Sequence, residues 1–208
     1  LHWSEAAQAY YALYFSLLLD TAPALLDSAP LGETLYATGS LVTNAVYDRL
    51  TNWFSGTYAY KNGPYIELLG QLNRIDSKGG RPAYDSDIGG IRFGLDKQLE
   101  NGLIGGSVAL LKGPLDSGNL SADTDAVRAD LYATFSHGIF YASGDFGFGN
   151  TWFSDVERNT GFGPVIANSD TDGYYLTAST EVGAAQSVEG FVLIPSARVT
   201  YAHADLDG

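Results

Sequence analysis

From Pro64 onward the chain alternates apolar and polar positions with a period of two, shown best in Ser86 to Gly113, SDIGGIRFGLDKQLENGLIGGSVALLKG. Ile91, Phe93 and Leu95 share one parity, and Arg92, Gly94 and Asp96 the other, which predicts a strand with one greasy and one polar face. Asn101-Gly102 is expected to supply the two positive-φ positions of a tight hairpin turn. The returning strand sets Gly106, Val108 and Leu110 against Ser107 and Ala109. Here the polar face carries an Arg and an Asp beside small neighbours (Gly94, Ser107), as if they lined a roomy interior. That is the inverted arrangement, a barrel greasy outside and wet within.

Seven such segments are predicted, at roughly 65–76, 88–99, 103–113, 125–135, 139–151, 173–184 and 191–203. The fourth sets Val127, Ala129, Leu131, Ala133 and Phe135 against Arg128, Asp130, Tyr132 and Thr134. In the fifth, Phe140, Ala142, Phe146 and Phe148 oppose Tyr141, Ser143 and Asp145. The sixth and seventh repeat the division, with Leu176, Ala178 and Val182 opposing Tyr175, Ser179 and Glu181, then Leu193, Ala197, Val199 and Tyr201 opposing Ser196, Arg198 and Thr200. Charge recurring at inward positions is costly in a dry core and cheap in a wet lumen. The connections Asn101-Gly102, His137-Gly138 and Gln186–Gly190 read as short turns, and 77–87, 114–124 and 152–172 as long polar loops. Outer-membrane barrels have short periplasmic turns and longer outer loops, so the first strand rises from the periplasm and the seventh ends outside. An eighth strand over Trp53–Tyr60, joined at Asn62-Gly63, would close a small barrel with both termini outside; an incomplete larger barrel is preferred.

Before the strands, residues 4–20 read as a helix capped by Ser4. A second helix is predicted over about Glu33 to Asn52, with Leu35, Val42, Val46 and Leu50 on one side and Thr43, Asn44, Asp48 and Arg49 on the other. The domain reading is a helical linker or plug segment at 1–57 and a barrel portion at 58–208. The helix over 33–52 is expected inside the barrel, with Asn44, Asp48 or Arg49 near lumen charges.

Composition narrows the choice. With 11 Lys and Arg against 24 Asp and Glu, the formal charge is −13, which argues against nucleic acid as a partner. The absence of Cys removes disulfides and thiolate chemistry. Tyr at 14 and Gly at 25 suit a barrel with aromatic girdles. No apolar run is long enough for a membrane-spanning helix, which a barrel does not need. Ala9–Leu19 and Ala22-Pro23-Ala24 imitate a signal peptide, but Glu5 stands where its basic leader belongs, so the likeness is read as chance.

The run DIGGIRFGLDKQLENGLIGGSVAL resembles the first hairpin of autotransporter β-domains, where a G-x-x-x-G-x-D strand meets a short turn and a glycine-rich return. SDTDGYYLTASTEVG followed by GFVLIPSARVTYAHADLDG resembles a later hairpin, and AVYDRL the segment before the barrel. The resemblance covers about 33–208. It implies an all-β, antiparallel transmembrane β-barrel of twelve strands, of which these are the first seven, preceded by the helical linker. It further implies protein secretion of an N-terminal passenger in the same polypeptide through the pore (type V secretion). The bacterial outer membrane is the implied location, with loops at the cell surface, and lipid, lipopolysaccharide and the barrel-assembly machinery are the implied partners. The chain stops about five strands short of that pattern. The alternative is a structural or adhesive outer-membrane barrel without a secretion role, or an outer-membrane hydrolase.

No catalytic, cofactor or metal site is predicted, and the protein is read as no enzyme. His2, His137 and His203 are too dispersed to hold a metal, His203 near Asp205 lacks a nucleophile elbow, and Gly147-Phe148-Gly149 is not followed by a helix. The lumen-lining set is Glu67, Arg92, Asp96, Arg128, Asp130, Asp145, Glu181 and Arg198, charges suited to gripping the plug helix or setting pore polarity. A D-x-D pattern recurs at Asp85/Asp87, Asp123/Asp125, Asp170/Asp172 and Asp205/Asp207. Parity aims these carboxylates outward just above the greasy band, an outer carboxylate collar that Ca²⁺ or Mg²⁺ would bridge to lipopolysaccharide phosphates.

Overall fold

A computed structural model describes residues 29–55, 62–76, 83–117, 120–159, 166–188 and 191–207. The helix expected at 4–20 and the signal-like stretch lie outside the described residues. One helix, α1 (Ala29–Ser55), is followed by β1 (Gly63–Ile75), β2 (Tyr84–Leu99), β3 (Gly102–Asp116), β4 (Leu120–His137), β5 (Phe140–Asn159) and β6 (Ile166–Ala184). Two short strands, β7 (Gln186–Val188) and β8 (Phe191–Leu193), pair with each other, and β9 (Ser196–Asp207) completes the main sheet. That sheet is antiparallel throughout, in the order β1-β2-β3-β4-β5-β6-β9. It is not closed, so β1 and β9 are its edges. Helix α1 touches all seven of its strands, so the sheet wraps around the helix.

The parity read from sequence appears as burial. In β4, Arg128, Asp130, Tyr132 and Thr134 are buried, whereas Leu131 and Phe135 are exposed. In β5, Tyr141, Ser143 and Asp145 are buried while Phe140, Phe146 and Phe148 are exposed. Ile66, Leu68, Leu72, Leu95, Val108 and Leu110 extend this exposed apolar face across β1 to β3. Such an area of exposed aliphatic and aromatic side chains is far beyond what a water-facing surface carries. No described helix is long and apolar enough to cross a membrane, which says nothing about strands.

The strands run longer than the alternation predicted. Segments 114–124 and 152–172, expected as loops, are largely strand, and the end of 77–87 is strand from Tyr84: β3 continues to Asp116, β4 begins at Leu120, and β5 and β6 extend to Asn159 and from Ile166. Polar composition misled there, because a strand that projects beyond an apolar band needs no greasy face. In β5 a bulge between Phe153 and Val156, with Asp155 at φ 51°, inserts an extra residue opposite β4. It switches the inward parity, so that Phe153 and Val156 are both buried.

Three further expectations change. Trp53 and Phe54 belong to α1, which excludes a strand over Trp53–Tyr60. Both tight turns shift by one residue: that between β2 and β3 is Glu100-Asn101, with Leu99 paired to Gly102 and neither Asn101 nor Gly102 at positive φ, and that between β4 and β5 is Gly138-Ile139, Gly138 adopting the positive φ of 61°. The link from β6 to β9 is an 11-residue segment, 185–195, carrying the β7–β8 hairpin in place of a tight turn, so the last main strand starts at Ser196.

Nor is the interior simply wet. Leu31 and Leu35 pack with Tyr84, Leu115, Leu120, Phe153 and Val156 at the end away from the tight turns. Val42 and Ala45 meet Leu69, Ile88, Ala109 and Leu111 midway, and Val46, Tyr47 and Leu50 meet Leu103 and Tyr132 near the tight turns. A 27-residue helix with apolar groups on several sides must bury them, so the wall supplies aliphatic residues at each level. Each fully buried Leu or Val contributes about 1.5–3 kcal/mol. The face bearing Tyr36, Asn44 and Asp48 stays exposed.

Candidate functional site

The polar contacts between α1 and the sheet form three stations along the helix. At the first, Arg128 of β4, wholly buried, donates from Nη1 to the Gly39 carbonyl oxygen at 2.5 Å. Its Nη2 reaches the hydroxyls of Thr43 and Thr177, both at 2.8 Å. Asp130 lies 2.5 Å from the same guanidinium and Asp145 3.5 Å away. The cation is thus fixed by β4, β5 and β6 together and turned onto the helix backbone. The approach depends on absent side chains. A Cβ on Gly147 would lie 2.0 Å from Arg128 Nη2, and one on Gly39 would lie 3.0 Å from the Tyr175 ring.

At the second station Arg92 of β2, also wholly buried, pairs with Glu67 at 2.6 Å and donates to the Ala45 carbonyl at 3.3 Å. At the third, Arg49 of the helix pairs with Asp96 at 2.5 Å and lies 3.4 Å over the Tyr65 ring. Asp96 also accepts from Tyr132 at 2.6 Å, and the Tyr65 and Tyr132 hydroxyls are 2.8 Å apart. Toward the β9 edge, Arg198 pairs with Glu181 at 2.9 Å and lies 3.6 Å over the Tyr47 ring of the helix. Glu181 accepts from Tyr141, whose ring meets Phe54 at 4.0 Å.

Inward tyrosines recur opposite inward glycines: Tyr65 with Gly94, Tyr132 with Gly105, Tyr175 with Gly149 and Tyr141 with Gly183 are direct cross-strand partners. A Cβ on any of these glycines would fall 2.4–2.7 Å from the tyrosine ring. Each ring therefore lies flat along the wall over its glycine, leaving room for the helix.

All eight residues assigned to the interior from sequence (Glu67, Arg92, Asp96, Arg128, Asp130, Asp145, Glu181 and Arg198) lie on the helix-facing parity of their strands. Seven ion-pair with another charged interior group directly around Arg92, Arg128, Arg49 or Arg198, and Asp145 does so at the longest distance. On the helix, Arg49 makes the expected contact and Asp48 lies within electrostatic reach of Arg198 and Arg92, whereas Asn44 is exposed. Gly39, Thr43 and Thr177 were not anticipated. Gly39 inside an otherwise helical run was the signal available, since glycine there implies close approach of another group.

The D-x-D residues lie within strands, near the start of β2, β4 and β6 and at the end of β9. Asp85, Asp87, Asp123, Asp170 and Asp205 are exposed, and Asp125 and Asp172 partly so. Asp85 pairs with Arg74 at 3.0 Å and Asp125 with Lys112 at 3.2 Å. Among the described residues no group of three or more His, Cys, Asp or Glu is placed to hold a metal ion. His137 is exposed at the end of β4, and His203 stands outward beside Tyr174, ring centroids 6.0 Å apart. His2 and the side chain of Asp207 lie outside the described residues.

The same architecture is found in the translocator domain of the autotransporter NalP from Neisseria meningitidis, at a TM-score of 0.66 and 19% identity. The match covers 84% of this chain and 62% of that one, so the chain spans under two thirds of the solved domain. No curated protein matches the chain. A family model, the autotransporter beta-domain, matches residues 65–208, which contain every strand beyond the start of β1. The chain belongs to the autotransporter β-domain family.

Proposed function

We propose that this chain forms part of the wall of an outer-membrane translocator, together with the helical segment that remains in its pore after a passenger has been exported. The observation that carries this reading is the path of α1. It runs the length of the wrapped sheet, touches all seven of its strands, and places Ala29 at the end opposite the tight turns. A passenger upstream of Ala29 then emerges at that end. Two features support making it the cell-surface end: the two-residue turns at Asn101 and Gly138 lie at the other end, and β3 to β6 project here well beyond the length a membrane requires. The division into a linker and plug at 1–57 and wall at 58–208 follows. The exposed apolar band suits outer-membrane lipid, reached through the barrel-assembly machinery. Outward carboxylates such as Asp87 and Asp123 would bridge to lipopolysaccharide through Ca²⁺ or Mg²⁺.

The test is an epitope tag placed upstream of residue 29 in the full-length protein, probed with antibody and protease on intact cells. Surface exposure of the tag with the barrel in the outer membrane is expected. A tag that stays in the periplasm beside a correctly inserted barrel would leave a structural barrel without secretion as the reading.

A further inference from the structure

Helix α1 has two glycines, Gly32 and Gly39. Gly39 lies where the wall comes nearest. Its carbonyl takes the 2.5 Å hydrogen bond from Arg128, and a Cβ there would meet Tyr175 at 3.0 Å and Arg128 Nη1 at 3.5 Å. Arg128 and Tyr175 in turn occupy the space left by Gly147 and Gly149, where a Cβ would lie 2.0 Å from Arg128 and 2.5 Å from Tyr175. A notch in the helix thus meets a socket in the wall, and Thr43, one turn on, supplies the second contact to Arg128 at 2.8 Å.

Such a fit is specific to depth. Sliding the helix one turn toward its N-terminus brings Thr43 to the socket, and one turn the other way brings Leu35; either sets a Cβ about 3.0 Å from the Tyr175 ring, tighter than ordinary contact, with further side-chain atoms beyond it. Gly32 is seven residues away, a shift of about 10 Å at 1.5 Å per residue. The apolar contacts along α1 do not discriminate in this way, because Leu and Val side chains tolerate one another's places.

We propose that Gly39 and the Arg128–Tyr175 socket are an axial stop, which fixes how far the polypeptide is drawn through the barrel and where the helix comes to rest. Arg128 acts as a positioning residue that reads the main chain, so the stop tolerates any preceding side chains and engages when a gap in them arrives. The inference rests on α1 as the pore's resident, proposed above.

The chain has no cysteine, so two introduced ones can carry spin labels. Asn44→Cys on the exposed helix face and His137→Cys at the tight-turn end report depth as a distance, measured by pulsed electron resonance on the full-length protein in lipid vesicles. The wild-type background should give one narrow distance. Gly39→Val and, separately, Arg128→Lys should broaden it. Moving the notch with Gly39→Ala and Thr43→Gly together should narrow it again at a separation longer by about 6 Å, four residues of helix rise. A broad distance in the wild-type background would overturn the placement of α1 beneath this inference. A narrow wild-type distance that none of these variants alters would overturn the axial stop alone.

Discussion

Replacing Arg128 with Ala tests the physics of the interior. Its guanidinium is the cation nearest to Asp130 and Asp145, and all three side chains are shielded from solvent. Truncation leaves two carboxylates facing each other in an enclosed space. Breaking a buried ion pair from one side costs about 3–5 kcal/mol. The hydrogen bond to the Gly39 carbonyl adds on the order of 1.5–3 kcal/mol, as for bonds to charged groups. Water entering the space left by the side chain offsets part of this, which places the expected loss near 3–5 kcal/mol overall. Urea unfolding of the full-length protein in lipid vesicles, followed by tryptophan fluorescence, measures it. Lys112→Ala is the control, because its pair with Asp125 is exposed and is worth less than about 1 kcal/mol. Adding Asp130→Asn and Asp145→Asn to Arg128→Ala should recover much of the loss, since the orphaned charges disappear. An Arg128→Ala loss no larger than that of Lys112→Ala would refute the reasoning and mean that the interior is hydrated like a surface.

Other substitutions separate the two faces. Leu131→Arg, on the exposed apolar band, should cost about 2–4 kcal/mol in vesicles, whereas Ser143→Thr inside should cost far less; equal costs would remove the lipid-facing assignment. Gly105→Ala and Gly149→Ala force Tyr132 and Tyr175 off the wall and should each destabilise by about 1–3 kcal/mol, read in the same titration. Asp87→Asn with Asp123→Asn should weaken the rise in unfolding midpoint that Ca²⁺ gives in lipopolysaccharide-containing membranes. An identical rise in both proteins would dismiss the carboxylate collar.

The wall was legible because a period of two leaves nothing else for Ile91, Phe93 and Leu95 to do: once one face is apolar, register fixes every neighbour. The helix over 33–52 was equally visible from Leu35, Val42, Val46 and Leu50, and the structure extends it by only a few residues at each end. Strand ends were less legible, because beyond the apolar band the alternation has no hydrophobic partner to mark it, and Trp152 to Asn159 read as loop. The β5 bulge hid Val156 for the same reason, shifting parity by one residue. Charge pairing was foreseeable in kind from Arg128 and Asp145. The use of main-chain carbonyls at Gly39 and Ala45 was not, since a backbone acceptor leaves no trace in a sequence. Nor did alternation announce the aliphatic lining at Leu69, Ile88 and Leu111, which exists to match the helix.

The most direct test of the account is the conductance of the full-length protein in a planar bilayer, with and without residues 29–55. An α-helix with its side chains is about 10–12 Å across, enough to occlude a narrow barrel. If α1 occupies the pore, its removal should raise single-channel conductance several-fold, and adding back a peptide of residues 29–55 should lower it. Unchanged conductance in a barrel shown to be folded would place the helix elsewhere and contradict the account.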